Sequence, residues 1–121
     1  MNPTPLFTKT FDFVTWLLPL TNHFPRSQRF IVTKRLLDAA LDFQECVLEA
    51  NTARMPARLE KLNEADAALD KVRIYLRLAL KWQWINSGQY QHAAAMVTEI
   101  GRLLGGWQRI SRQSAVSDQA A

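Results

Sequence analysis

The sequence predicts an all-α protein, an antiparallel up-down-up-down four-helix bundle. Apolar residues recur with a period of about 3.6 along most of the chain, and strand-like alternation is absent. Glycine is scarce, with four residues among 121, so few positions invite a turn. Three short breaks interrupt the periodicity, and short connections between long helices make sequence neighbours antiparallel. With 48% hydrophobic residues, a chain of 121 is one domain with enough apolar surface for a core.

The first helix spans about residues 8–22, with Phe11, Val14, Leu17 and Leu18 apolar. Pro19 lies inside it and predicts a kink or an early end. Asn22-His23-Phe24-Pro25 is the first break. The second helix spans about 26–53. Leu36, Ala40, Phe43 and Val47 form one apolar row, and Leu37, Leu41 and Leu48 form a second beside it. Arg54-Met55-Pro56 is the second break, and proline suits the first turn of the helix that follows. That third helix runs over about 56–85. Asn86-Ser87-Gly88 is the third break, with Ser87 a candidate N-cap. The fourth helix spans about 88–112. Gly101 and Gly105 are four apart in it, a smooth face suited to close helix approach. Residues 1–112 are thus the bundle, and 113–121, small and polar, are predicted to be a flexible tail.

One stretch of the third helix stands out, Val72 to Trp84. At about 100° per residue, Arg73, Arg77 and Lys81, with Trp84, fall on one narrow strip. Val72, Ile74, Tyr75, Leu76, Leu78, Ala79, Leu80 and Trp82 cover most of the remaining circumference. A helix with one buried face needs an apolar stripe of only about 100° or more. The excess predicts packing on several sides, inside the bundle and against a second subunit.

The net charge is +4 and the isoelectric point about 9.6, which favours an acidic partner. The distribution says more than the total. Residues 26–37 hold Arg26, Arg29, Lys34 and Arg35 and no acid. Residues 71–84 hold Lys71, Arg73, Arg77 and Lys81 and no acid. Residues 38–70 hold eight acids against Arg54, Arg58 and Lys61. In antiparallel helices joined near Met55, the two basic segments meet at one end and the acidic stretch occupies the other. Such a positive pole attracts phosphate backbones. Trp82 and Trp84 are placed to stack on single-stranded bases, although the apolar residues around the basic strip read better as core and subunit interface than as a ligand pocket. The bland reading of the same charges is local pairing, Asp70 with Arg73 and Lys34 with Asp38.

Enzyme chemistry finds no foothold. Neither His23 nor His92 follows a carboxylate at the Glu-x-x-His spacing of metal-binding bundles. No Arg–His pair has the spacing used by small helical RNases. No glycine-rich phosphate loop joins a strand to a helix. The single Cys46 reads as a buried core thiol, which excludes a disulfide framework. No cofactor is expected. No apolar run approaches the ~20 residues of a membrane span, and the N-terminus lacks signal-peptide features. The expectation is a cytoplasmic protein without a membrane partner.

Two segments together carry a family resemblance. One is Ala65-Asp66-Ala67-Ala68-Leu69 followed by Val72-Arg73-Ile74-Tyr75-Leu76-Arg77-Leu78. The other is Glu99-Ile100-Gly101-Arg102-Leu103-Leu104-Gly105-Gly106-Trp107. They resemble the accessory variability determinant (Avd) proteins of diversity-generating retroelements, within a wider four-helix-bundle family that includes proteins encoded in intervening sequences of 23S rRNA genes. The likeness is strongest over residues 59–112. It extends more weakly to Leu18-Pro19-Leu20 and Phe24-Pro25-Arg26.

The resemblance implies a homopentameric barrel of bundles with a basic, nucleic-acid-binding surface. It implies a reverse transcriptase partner and no chemistry of the accessory protein's own. The transcriptase copies template RNA into adenine-mutagenised cDNA, which diversifies a target gene. Residue by residue, Arg73 and Arg77 match the family's paired helix-three arginines, Arg102 its helix-four arginine, and Arg26 the basic residue after the first-break proline. Arg29, Lys34, Arg35 and Lys81 rest on charge alone. The connection at residues 86–89 is shorter than the family's and the tail after Arg112 less basic, which removes the tail from the expected RNA contacts. The alternative is a self-assembling interaction protein of the same family without a retroelement role.

Overall fold

The computed structural model describes residues 2–120. Helix α1 spans Thr4–Leu20, α2 Val32–Thr52, α3 Ala57–Lys81 and α4 Ser87–Ala120, with two 3-10 turns, Thr21–His23 and Arg26–Gln28, between α1 and α2. No strand occurs among the described residues. Each helix packs on its sequence neighbours, and α1 closes the ring against α4. Glu49 pairs with Lys61 across α2 and α3. Gln108 Nε2 donates to Asn63 Oδ1 across α4 and α3 at 3.1 Å. Phe7 meets Trp107 edge-to-face, and Trp16 meets His92, across α1 and α4. All three pairings are antiparallel, so the four-helix, up-down-up-down architecture expected from the periodicity is present.

The helix ends depart from the sequence expectation for local reasons. Helix α1 begins four residues early, because prolines at its first turn are pre-set for helical φ. Pro19 is tolerated one residue before the helical end, after which the chain tightens into a 3-10 turn with Thr21 N–H on Leu17 and Pro19 carbonyls. Phe24 is extended (φ −71°, ψ 154°), as the residue before a proline prefers. Helix α2 starts at Val32 rather than Arg26. Arg26-Ser27-Gln28-Arg29 has no apolar residue to anchor a turn on the core and forms only a 3-10 turn.

Helix α3 ends at Lys81 rather than Ile85. Gln83 takes a left-handed φ of 61°. Its N–H bonds the Leu80 carbonyl, and Trp84 N–H reaches the Ala79 carbonyl at 2.8 Å. This is a Schellman stop built without glycine. At α4 the cap is Asn86, not Ser87: Asn86 Oδ1 accepts from Gln89 N–H, and Gln89 Oε1 accepts from Asn86 N–H, a reciprocal capping box. Residues 113–120 of the expected tail continue α4, since no glycine or proline after Gly106 stops it, and residue 121 lies outside the described residues.

One core joins all four helices. Leu36, Phe43 and Val47 of α2 meet Leu62, Leu69, Val72 and Leu76 of α3, with Phe13 and Leu17 of α1 and Val97, Ile100 and Leu104 of α4. Each such side chain contributes about 1.5–3 kcal/mol on burial. The second α2 row is not core: Leu37 is half-buried, and Leu41 and Leu48 are exposed. At the acidic end Arg58 closes α2, its Nε donating to the Ala50 and Ala53 carbonyls at 3.0 and 3.1 Å. Those are C-terminal helix carbonyls, left unpaired by the helix itself. Lys61 bridges Glu49 and Glu64 at 2.9 and 3.3 Å, and the two carboxylates raise its ammonium pKa.

Cys46 is half-buried rather than buried. Its Sγ lies 3.8 Å from Glu64 Oε2, and burial followed by that carboxylate pushes its thiol pKa up from 9.0.

Candidate nucleic-acid interface

The register of α2 against α3 decides where the cations lie. Cys46 faces Glu64. Thirteen residues beyond this contact, in opposite chain directions, Thr33 comes level with Arg77, because both helices rise by about 1.5 Å per residue. Phe24 and Trp84, from the two connections at this end, meet with ring centroids 5.5 Å apart. Arg26, Arg29, Lys34, Arg35, Arg77 and Lys81 therefore share one end of the bundle. All six are exposed. Among the described residues only Lys34 of this group forms an ion pair, with Asp38. Lys81 also lies in the last turn of α3, where a cation complements the helix dipole.

Arg77 and Lys81 border a cavity of about 700 Å³ that Ile74, Leu78 and Tyr90 also line. Arg77 and Arg73 border a smaller one, about 260 Å³, between α3 and α4. Arg26 and Arg29 line a third, about 380 Å³, between the first break and the start of α2. No residue of these three linings is acidic.

Two predicted site residues do not join the free cations. Arg73 is half-buried at the lower rim. Its Nη1 donates to Asp70 Oδ1 at 2.8 Å, and its guanidinium lies against Gly101, where an added Cβ would stand 2.5 Å from Nη2. The smooth glycine face therefore serves a side chain at Gly101, while Gly105 has nothing within 4 Å. Arg102 follows Gly101 and is further from the pole, engaged twice by Glu99 at 2.6 and 3.0 Å. That fork holds the Glu99 carboxyl below its usual range.

The surface of the Val72–Trp84 stretch is more mixed than its wheel predicts. Val72, Leu76 and Ala79 are core, Tyr75, Leu78 and Leu80 half-buried, and Ile74 and Trp82 exposed at 52% and 66%. Trp84 leaves the basic strip because the helix has ended, and packs on Phe24. Of the two tryptophans, Trp82 remains open for stacking. Phe30 (80% exposed) and Ile31 add apolar surface beside Arg29. The sequence reading missed them by placing them inside a continuous helix. It also missed Thr33, whose buried hydroxyl has no partner, because nothing in the sequence marks Thr33 as a first-turn residue.

The bAvd-like family model matches residues 6–111, from the first turns of α1 to the body of α4. The chain belongs to the bAvd-like family. This agrees with the resemblance carried by the helix-three and helix-four motifs. Within the bAvd-like chain, the match takes in every candidate cation and stops before the last turns of α4.

The solved structure of a protein of unknown function from the S23 ribosomal protein family of Bacteroides thetaiotaomicron superposes with a TM-score of 0.82 at 22% identity. The match covers 90% of the bAvd-like chain and 99% of that one. At this identity the likeness shows a shared fold. No curated protein is significantly similar to the chain. No described helix is long and apolar enough to cross a membrane.

Proposed function

We propose that this bAvd-like protein is a non-enzymatic, cytoplasmic accessory factor of a diversity-generating retroelement. It binds the element's reverse transcriptase and holds template RNA and nascent cDNA against the basic end of the bundle. The observation that carries the reading is the set of five exposed cations without ion pairs, Arg26, Arg29, Arg35, Arg77 and Lys81, drawn from two distant segments to one end. Cations free of protein partners are available to phosphates, and each contact releases condensed counterions. Trp82 adds a sequence-tolerant stacking surface.

Assembly into a homo-oligomer, a pentamer by family likeness, would bring several such ends together and raise avidity. The exposed apolar residues Phe11, Leu41 and Leu48 lie away from the basic end and offer surface for subunit or transcriptase contacts. Those same residues favour the second reading, a self-assembling interaction protein without a retroelement role.

Co-purification separates the two. With the transcriptase and template RNA encoded beside its gene, the tagged chain retains both, and the Arg77→Gln, Lys81→Gln variant loses RNA while remaining folded and assembled. A gene with no neighbouring transcriptase and no template/variable repeat pair, or a chain that assembles and retains neither partner, supports the second reading.

A further inference from the structure

We infer that the cavity between the first break and the start of α2 is a discrete phosphate-binding pocket, with Thr33 and the two arginines Arg26 and Arg29 as its ligands. An orphaned hydroxyl marks the pocket. Thr33 is 8% exposed, lines this cavity, and its Oγ1 has no hydrogen-bond partner. The other two buried threonines spend their hydroxyls locally. Thr10 donates to the Leu6 carbonyl at 2.7 Å and Thr21 to the Leu18 carbonyl at 2.8 Å. Thr33, the second residue of α2, follows a 3-10 helix and a turn rather than an α-helical turn, and its hydroxyl takes no carbonyl there. A buried, unpaired hydroxyl costs free energy. An acceptor in the cavity removes that cost.

The surroundings specify an anion. Arg26 and Arg29 line the cavity together with Asn22, and no carboxylate does. The first amide of α2 to bond a helical carbonyl is that of Arg35, on Ile31, and Ile31 supplies no side-chain cap. The first-turn amides ahead of it carry the positive end of a 21-residue helix. Two guanidinium forks, an amide, a hydroxyl and an uncapped helix start match the several oxygens and the charge of a phosphate better than a single carboxylate. The volume, about 380 Å³, falls in the lower part of the size range of small-molecule sites. It admits the phosphate together with part of an attached nucleotide. Phe24, which packs on Trp84, forms an apolar wall.

The inference deepens the proposed function and rests on it only for the source of the phosphate, a strand terminus or an internal phosphodiester. Equilibrium dialysis of radiolabelled inorganic phosphate against the full chain tests the pocket. One site per chain is expected. Thr33→Val, which keeps the shape and deletes the hydroxyl, weakens binding about ten-fold, the factor of one hydrogen bond to a charged group. Its thermal midpoint does not fall, because the lost hydroxyl has no protein partner. Arg29→Gln weakens binding by a similar factor.

Oligothymidylate competitors with and without a 5′-phosphate then assign the source. Stronger competition by the 5′-phosphorylated strand assigns a terminus, and equal competition assigns the backbone. If Thr33→Val and Arg29→Gln bind phosphate like wild type, the pocket is refuted. If they also bind oligonucleotide normally while Arg77→Gln, Lys81→Gln does not, the proposed function survives that refutation. If phosphate binds in a Thr33-dependent manner and no oligonucleotide competes, the pocket stands and the nucleic-acid reading falls.

Discussion

Replacing Gly101 by alanine sets a helix-propensity gain against a side-chain displacement whose size the structure fixes. Alanine in a helix interior is favoured over glycine by about 0.8–1 kcal/mol. The new Cβ would stand 2.5 Å from Arg73 Nη2 and 3.6 Å from Leu69 Cδ2. The second distance is ordinary contact. The first requires the guanidinium to move, and it is the far end of a flexible, 41% exposed side chain. Moving it forfeits the Asp70–Arg73 pair, an i, i+3 contact worth about 0.2–0.5 kcal/mol. Gly101→Ala therefore gains about 0.5 kcal/mol.

Gly105, with nothing within 4 Å, gains the full propensity term of about 1 kcal/mol on the same substitution. For a chain of 121 residues, an unfolding entropy of about 2.1 cal/mol/K per residue makes 1 kcal/mol worth about 4 °C. Thermal melts followed by circular dichroism should rise by about 2 °C for Gly101→Ala and about 4 °C for Gly105→Ala. In an Arg73→Ala background, Gly101→Ala should recover the full gain, since the clash partner is gone. A loss above about 1 kcal/mol for Gly101→Ala, undiminished in that background, would refute the assignment of Gly101 as a berth for Arg73. A loss for Gly105→Ala would reveal a subunit packed on that face.

Three further outcomes follow from local geometry. Gln83→Gly relieves a left-handed backbone that costs a non-glycine residue about 1 kcal/mol, so it should raise the thermal midpoint by a few degrees, whereas Gln83→Val should lower it. Arg58→Met removes the guanidinium from the Ala50 and Ala53 carbonyls and should cost about 1–2 kcal/mol in urea unfolding, with loss confined to the acidic end in hydrogen exchange. Cys46, whose thiol pKa is raised from 9.0 by burial and then by Glu64, should alkylate more slowly at pH 8 than a free cysteine, and at the free rate in denaturant. Because the folded state holds this proton more tightly, its share of stability is intact below pH 9.0 and falls as pH rises past it. Alkylation faster than the free thiol would reverse that assignment.

How far the sequence carried depended on whether a signal was local or tertiary. The row Leu36, Ala40, Phe43, Val47 is buried as its spacing predicts, and proline or glycine lies in or beside each connection. The α3 stop was hidden because its left-handed residue is a glutamine. The true start of α2 was hidden because a basic run with helical composition has no core contact. The polar segregation of charge was legible from antiparallel logic, which needs only helix order. What separates Arg73 from the free cations was half legible: its pair with Asp70 follows from i, i+3 spacing, but its seat against Gly101 depends on the next helix. The Glu99–Arg102 pair has the same i, i+3 spacing, but the spacing alone does not say which charges pair. Thr33 became visible only once the helix start was known.

If the basic end of the bundle meets nucleic-acid phosphates, single-stranded binding must weaken with salt in proportion to the contacts made. Fluorescence anisotropy of a labelled single strand, titrated with the chain across a salt series, gives a log–log slope proportional to the phosphates neutralised. Replacing Arg26, Arg29, Arg77 and Lys81 together by glutamine removes four exposed charges without touching the core. At about 0.7 per contact on a single strand, the slope should fall by about 3, with the thermal midpoint unchanged. A variant that keeps the wild-type slope and affinity would show that these cations do not meet the nucleic acid.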